Sequence, residues 1–245
     1  MFIDAHAHLD EVKELAPVLK KSRDAGCRAI VSSGYSFESS KKNLGIAKAN
    51  PGFVYAVIGV SPQAAMDLEP SEFEKQLAFI RENAGSAVAI GEIGLDFHWA
   101  KTDEQVEREY KAFEAQVDLA LEKNLPIVIH SRKAEEEALE VLARKKAGLV
   151  MLHFFSGKPE TALSAVDRGF MVSFPPLKSR NRSKTAKKIP LENIVLETDC
   201  PYVYPDPTGV LVSAEIVARA KGILIEEVLK TTSENTARFF GFSLE

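Results

Sequence analysis

The sequence predicts a (β/α)8 TIM barrel in which residues 1–245 form a single domain. Three observations predict it. Eight short apolar runs alternate with helix-like segments, over a length close to the roughly 250 residues such a barrel takes. The runs are continuous and rich in Val and Ile, as strands buried on both faces of a parallel sheet are. No glycine-rich phosphate fingerprint follows the first run, so the rival open doubly wound sheet lacks its signature.

In chain order, the first four strands are expected at Phe2–Ala5, Ala29–Ser32, Val54–Val60 and Ala87–Gly91. The last four are expected at Ile127–Ile129, Leu149–Leu152, Phe170–Val172 and Ile194–Leu196. The segments between them carry helical period, most clearly at 103–123. There Val106, Tyr110, Phe113, Val117 and Leu121 recur at three- and four-residue steps. Thr102 and Gln105 have the spacing of a capping box, and Asn124 with Pro126 ends the helix. No Gly/Ser-rich linker or charged spacer divides the chain.

Composition bounds the setting. The cysteines Cys27 and Cys200 are too few for a disulfide framework and fit a reducing compartment. The N-terminal segment lacks the apolar core of a signal peptide, and no apolar stretch approaches the roughly 18 residues of a membrane span. The expectation is a cytoplasmic protein with no membrane association and no obligate protein partner. A net charge of −4 argues against a surface coated in nucleic acid but leaves room for a local basic groove.

The histidines carry the chemical signal. The chain has five, and four of them close apolar runs. His6 and His8 end the first run, His130 the fifth and His153 the sixth. Glu92 ends the fourth and Asp199 the eighth. Barrel active sites lie at the C-terminal ends of the strands, so these six side chains are expected to ring one point at the barrel mouth. Alternation along a strand sends His6 and His8 the same way. Four histidines and two carboxylates exceed the needs of one tetrahedral ion. Two divalent ions use them better: His6, His8 and Asp199 on one, His130 and His153 on the other, and Glu92 between. Two ions about 3.5–4 Å apart clamp a phosphoryl group and activate a water. Zinc, manganese, iron and magnesium remain open.

The motifs around these residues resemble those of TatD-type metal-dependent deoxyribonucleases. The opening Asp4-Ala5-His6-Ala7-His8-Leu9-Asp10 is similar to that family's first motif. Gly91-Glu92-Ile93-Gly94-Leu95-Asp96-Phe97-His98 is similar to its second. His130-Ser131-Arg132, His153-Phe154-Phe155-Ser156-Gly157 and Leu196-Glu197-Thr198-Asp199-Cys200-Pro201-Tyr202 follow in the family's order. Asn235 to Gly241 resembles its ending. The resemblance implies a barrel of the metal-dependent hydrolase type that cleaves DNA phosphodiester bonds with a metal-activated water. It carries metal binding to His6, His8, Glu92, His130, His153 and Asp199, with Glu92 and Asp199 as the catalytic carboxylates. One departure stands out. Gly59-Val60-Ser61-Pro62-Gln63 lies where TatD proteins commonly read Gly-x-His-Pro-His, so two mouth histidines are replaced by Ser61 and Gln63.

On the substrate side, residues 178–188 hold six basic residues and no acidic one. The run follows the seventh strand, where barrels often bind phosphate. Lys178 and Arg180, at its start, are the expected contacts for a DNA backbone. Arg132 is the expected phosphate clamp, because its planar fork matches a phosphate. His98 is a candidate for contact with substrate, Asp96 for orienting a ligand histidine, and Tyr202 and Tyr204 for stacking bases. Cys200 is read as packing. Two other functions fit a metal barrel: hydrolysis of an amide, ester or lactone, and a non-catalytic metal-binding scaffold.

Overall fold

The computed structural model describes residues 1–243. Eight strands form one parallel sheet in the order β1 to β8. They are β1 (Phe2–Ala7), β2 (Cys27–Ser33), β3 (Val54–Ile58), β4 (Ala89–Asp96), β5 (Ile127–Arg132), β6 (Val150–Leu152), β7 (Met171–Phe174) and β8 (Ile194–Leu196). The helices between them are α1 (Leu15–Asp24), α2 (Phe37–Ala49), α3 (Pro62–Ala65), α4 (Pro70–Asn83), α5 (Asp103–Lys123), α6 (Glu135–Arg144), α7 (Pro159–Val166) and α8 (Arg180–Lys188). After β8 come α9 (Val210–Lys221) and α10 (Ile225–Phe240). The (β/α)8 barrel expected from the sequence is the fold.

One side chain from every strand gathers into a single buried cluster: Ala5, Val31, Val57, Ala89, Val128, Met151, Met171 and Val195. Only the inside of a ring lets all eight meet. Phe239 and Phe240, from the end of α10, join this cluster and plug the N-terminal end of the barrel. The opposite end is left free for chemistry. A larger apolar layer, including Phe2, Ile30, Ile58, Ile90, Phe113 and Phe170, packs the outer faces of the strands against the helices.

Strand ends differ from the apolar runs in both directions: β3 stops at Ile58, short of the expected Val60, whereas β4 and β5 run longer. β4 continues to Asp96 and β5 to Arg132, well past the last apolar residue of each run. Among the added residues Glu92, His130 and Arg132 line the mouth cavity while Ile93 and Leu95 pack in the outer apolar layer, so polar mouth residues interrupt the apolar run without ending the strand. α5 spans 103–123 as expected, and Asn124 caps it in the left-handed region at φ 53°. The capping box is only half present. Thr102 Oγ1 accepts from Gln105 N at 3.2 Å, but the Gln105 side chain accepts from Lys101 N rather than from Thr102 N.

The seam between β8 and β1 is closed beyond the end of β8. Asp199 N donates to His6 O at 3.0 Å, and His8 N donates to Cys200 O at 2.7 Å. Below them the Asp4 carboxylate accepts from Thr198 N at 3.0 Å and from the Thr198 hydroxyl. A buried side chain thus does part of the pairing that a strand ladder does elsewhere in the sheet.

Candidate metal centre

Two irregularities aim the carboxylate and histidine ligands. Between Asp4 and Ala7, β1 carries three steps against two on β2 (Ile30 to Ser32). Between Ile90 and Ile93, β4 carries three steps against two on β5 (Ile127 to Ile129). Each is a β-bulge, which flips the alternation of the side chains that follow. Ala5 and Ala89 lie in the barrel interior, so simple alternation would turn His6 and Glu92 outward. The bulges bring both inward instead. Gly91 and Gly94 make the second bulge possible. A Cβ on Gly91 would lie 2.7 Å from Val128, and one on Gly94, at φ 145°, would overlap His130 O.

The six side chains converge. His6 Nε2 lies 3.3 Å from His8 Nε2, 3.5 Å from Glu92 Oε2 and 3.9 Å from Asp199 Oδ1. His8 Nε2 lies 3.5 Å from Glu92 Oε2 and 3.2 Å from Asp199 Oδ1. On the other side, Glu92 Oε1 lies 2.7 Å from His130 Nδ1 and 3.9 Å from His153 Nε2. The His6 and His153 rings stack with centroids 3.5 Å apart, joining the two halves. Three candidate metal-binding clusters result among the described residues: His6–His8–Asp199, Glu92–His130–His153 and His6–His153–Glu197.

Each histidine is held from behind. His8 Nδ1 lies 2.9 Å from Ser33 O, and His6 Nδ1 lies 3.1 Å from Ser33 Oγ. His130 Nε2 lies 2.9 Å from Asp96 Oδ2, the orienting contact anticipated for Asp96. His153 Nδ1 lies 2.6 Å from Glu197 Oε2. Glu197, fully buried, also accepts from Phe154 N at 2.7 Å. Sequence reading missed Glu197. Its signal was a carboxylate two residues before Asp199, just past β8.

Electrostatics and backbone both mark this mouth. Burial opposes a charge on His8 and His130, yet Asp199 and Glu92 lift His8 to about 9, and Asp96 and Glu92 lift His130 to about 10. Burial also opposes ionisation of Asp199, but the hydrogen bond from His8 and the charges of the nearby histidines hold its carboxyl below the ordinary range. Lys133, Phe154 and Asp199 adopt φ values of 58°, 47° and 50°, just past β5, β6 and β8. Such backbone costs about 1–3 kcal/mol per residue and clusters where function requires it.

A cavity of about 830 Å³ opens over the cluster. Arg132 lines it, as expected, and so do Ser61, Gln63 and the half-exposed Trp99. Other expected contacts fall elsewhere. His98 stacks edge-on against Trp99 and is not among the residues lining the cavity. Lys178 and Arg180 line a separate cavity with Glu215 and Arg219, and from this basic run it is Arg182 that lines the metal cavity instead. The helix turn explains this: α8 begins at Arg180, so residues two apart point to different sides. Tyr202, 60% exposed, lines the cavity, whereas Tyr204 packs against Gly209. Cys200 is buried.

Comparison with known proteins agrees with this architecture. A family model described as TatD related DNase matches residues 3–241. The human protein named Deoxyribonuclease TATDN3 is 33% identical over 257 residues, covering 97% of this chain and 94% of its own. The Bacillus subtilis protein named metal-dependent hydrolase YabD, uncharacterized, is 33% identical, covering 98% of this chain and 99% of its own. The crystal structure of YJJV, a TatD homolog from Escherichia coli K12, matches with a TM-score of 0.87 at 25% identity, covering 99% of this chain and 98% of its own. No described helix is long and apolar enough to cross a membrane. A match that runs from β1 through α10 leaves no element of the barrel outside it: the chain belongs to the TatD-related DNase family.

Proposed function

We propose that this chain, folded over 1–245 as one unit, is a two-metal phosphodiesterase that cleaves DNA. His6, His8 and Asp199 would hold one ion, His130 and His153 the other, and Glu92 would bridge them. The observation that carries the reading is the division of the Glu92 carboxylate. Its Oε2 faces His6 and His8, both at 3.5 Å, while its Oε1 faces His130 and His153. The spacing also fits an ion. Bonds of about 2.0–2.1 Å to a tetrahedral centre put neighbouring ligand atoms about 3.3–3.4 Å apart. The five measured separations among His6, His8, Glu92 and Asp199 run from 3.2 to 3.9 Å.

When bound, the ions would polarise a water and offset charge gathering on the phosphoryl oxygens. The chain's own groups do the rest. Asp199, ionised and lining the cavity, takes the proton that leaves the attacking water. Arg132 orients the phosphate, and Trp99 and Tyr202 offer faces for the bases. Asp96 and Glu197 keep His130 and His153 aimed inward. Cys27 and Cys200, both unpaired and buried, favour action in the cytoplasm.

The test is cleavage of labelled DNA by the purified protein with manganese, magnesium, zinc or iron(II), against a chelator control, alongside metal analysis. Metal-dependent release of nucleotides is the expected result. Turnover of ester or amide compounds with DNA left intact would instead make this a hydrolase of small molecules.

A further inference from the structure

Arg182 is a cation without a counter-charge in the wall of the metal cavity. It lies in the first turn of α8, with its backbone N–H accepted by Ser179 Oγ at 3.0 Å. Its guanidinium carbon lies 4.8 Å from the centroid of the Phe154 ring, and that ring is 5.8 Å from the His153 ring. Arg182 makes no ion pair among the described residues, whereas Arg81 and Arg144 each make one and Arg108 makes two. Its Nε is buried and has no hydrogen-bond partner. Burial weakens its hold on the proton, and the charge of Glu197 opposes that only in part.

Such a group is costly in the free protein. A buried N–H donor without a partner loses the water it would otherwise bond. An anionic oxygen entering the cavity that Arg182 lines supplies the missing charge. Arginine on an aromatic face is also well placed to grip phosphate, because its fork is held flat. The Phe154 ring stands between the guanidinium and His153, so Arg182 addresses a point one ring removed from the metal cluster.

We infer that Arg182 holds the phosphate next to the one being cleaved, so that the site reads a strand rather than an isolated diester. This rests on the nuclease reading and names the part of the substrate that the metal cluster does not touch. Arg132 shares the cavity wall but ends β5, whereas Arg182 lies in the first turn of α8, so the two arginines approach the strand from different parts of the barrel rim.

The test compares the metal-loaded wild type with Arg182→Met, which keeps a stem against Phe154, and with Arg182→Lys, which keeps the charge. Arg180→Gln, on the same helix but in the other cavity, is the control. Binding of a single-stranded phosphorothioate oligonucleotide, chosen to slow turnover, is measured across salt concentrations. Loss of one phosphate contact should lower the salt slope by about 0.7 in Arg182→Met, with Arg182→Lys and Arg180→Gln close to wild type. KM for an oligonucleotide should rise about tenfold in Arg182→Met. Turnover of bis(p-nitrophenyl) phosphate, which has a single phosphate, should stay within about twofold.

An unchanged slope in Arg182→Met overturns the inference. Equal losses on the oligonucleotide and the single diester also overturn it, because they put Arg182 at the scissile phosphate or in the fold. A wild type that binds the strand with the Arg182-dependent slope but hydrolyses neither compound defeats the nuclease reading alone.

Discussion

His153 Nδ1 and Glu197 Oε2 are 2.6 Å apart and both are buried, so the ring of His153 has one orientation open to it. Its Nε2 then faces Glu92. Glu197→Gln leaves one oxygen to serve two donors, His153 and the Phe154 N–H. Metal affinity or activity should fall about 10–100-fold. Titration of the chelator-treated protein with zinc or manganese checks this, and wild-type affinity in the variant would remove Glu197 from the support of the site.

Asp199→Asn should reduce DNA hydrolysis by about 10²–10⁴-fold or more, since it removes an ion's carboxylate and the proton acceptor together. The backbone bond from Asp199 N to His6 O is untouched, so the far-UV spectrum, and the melting temperature of the metal-free protein, should stay near wild type. Near wild-type turnover would exclude Asp199 from the chemistry.

Metal should stabilise the whole barrel. The clustered side chains come from β1, β4, β5 and the ends of β6 and β8, so the two ions together tie five strands. Binding at 100 times Kd contributes about 2.7 kcal/mol, which for a chain of this size is a rise of about 5–10 °C in Tm. Scanning calorimetry with and without chelator measures it. A Tm that ignores both chelator and added metal would contradict ion binding at this site.

Glu109 sets a pH dependence. It is buried on α5, with Oε2 accepting from Asp96 N at 3.0 Å and Oε1 unpartnered. Burial raises its pKa above the ordinary 4.5. A raised folded-state value favours the fold fully below the unfolded pKa, and that contribution is lost as pH climbs through the folded one. Glu109→Gln cannot ionise, so its Tm should fall less than that of the wild type between pH 5 and pH 8. Parallel Tm–pH curves would show that Glu109 does not ionise across this window.

The two replaced mouth histidines are not equivalent. Ser61 Oγ caps α3 by accepting from Ala64 N, so Ser61→His loses a cap worth about 1 kcal/mol. Gln63 lies in the cavity wall, with Nε2 2.6 Å from Asp96 Oδ2. Gln63→His alone should therefore raise DNA cleavage, by at most the about 10²–10⁴-fold that acid–base help supplies. Steady-state rates at saturating metal decide it, and no gain would mean this wall serves binding only.

Much of the site was legible because histidine is scarce here. With five in the chain, four at the ends of apolar runs stand out against any packing role. The aim of those side chains was less legible. His6 and Glu92 point inward only because β1 and β4 each carry an extra residue, and periodicity in the sequence does not reveal a bulge. Glu197 was hidden for another reason: a buried carboxylate and a solvated one look alike until burial is known. The choice between Arg180 and Arg182 turned on the rotation of α8, which depends on where the helix starts rather than on charge. β4 and β5 extend past their apolar runs because polar mouth residues such as Glu92, His130 and Arg132 interrupt the pattern there.

The seam between β1 and β8 also governs when the site comes into being. Asp4 and Thr198 are 194 residues apart, and the backbone bonds above them join His6 to Asp199 and His8 to Cys200. Contacts that distant form late, because most of the intervening chain must be ordered first. A growing chain carries His6 and His8 long before it carries Asp199, which completes their half of the cluster. Hydrolytic competence thus waits for the segment that follows β8, and a fragment that stops before it has the histidines without the aspartate.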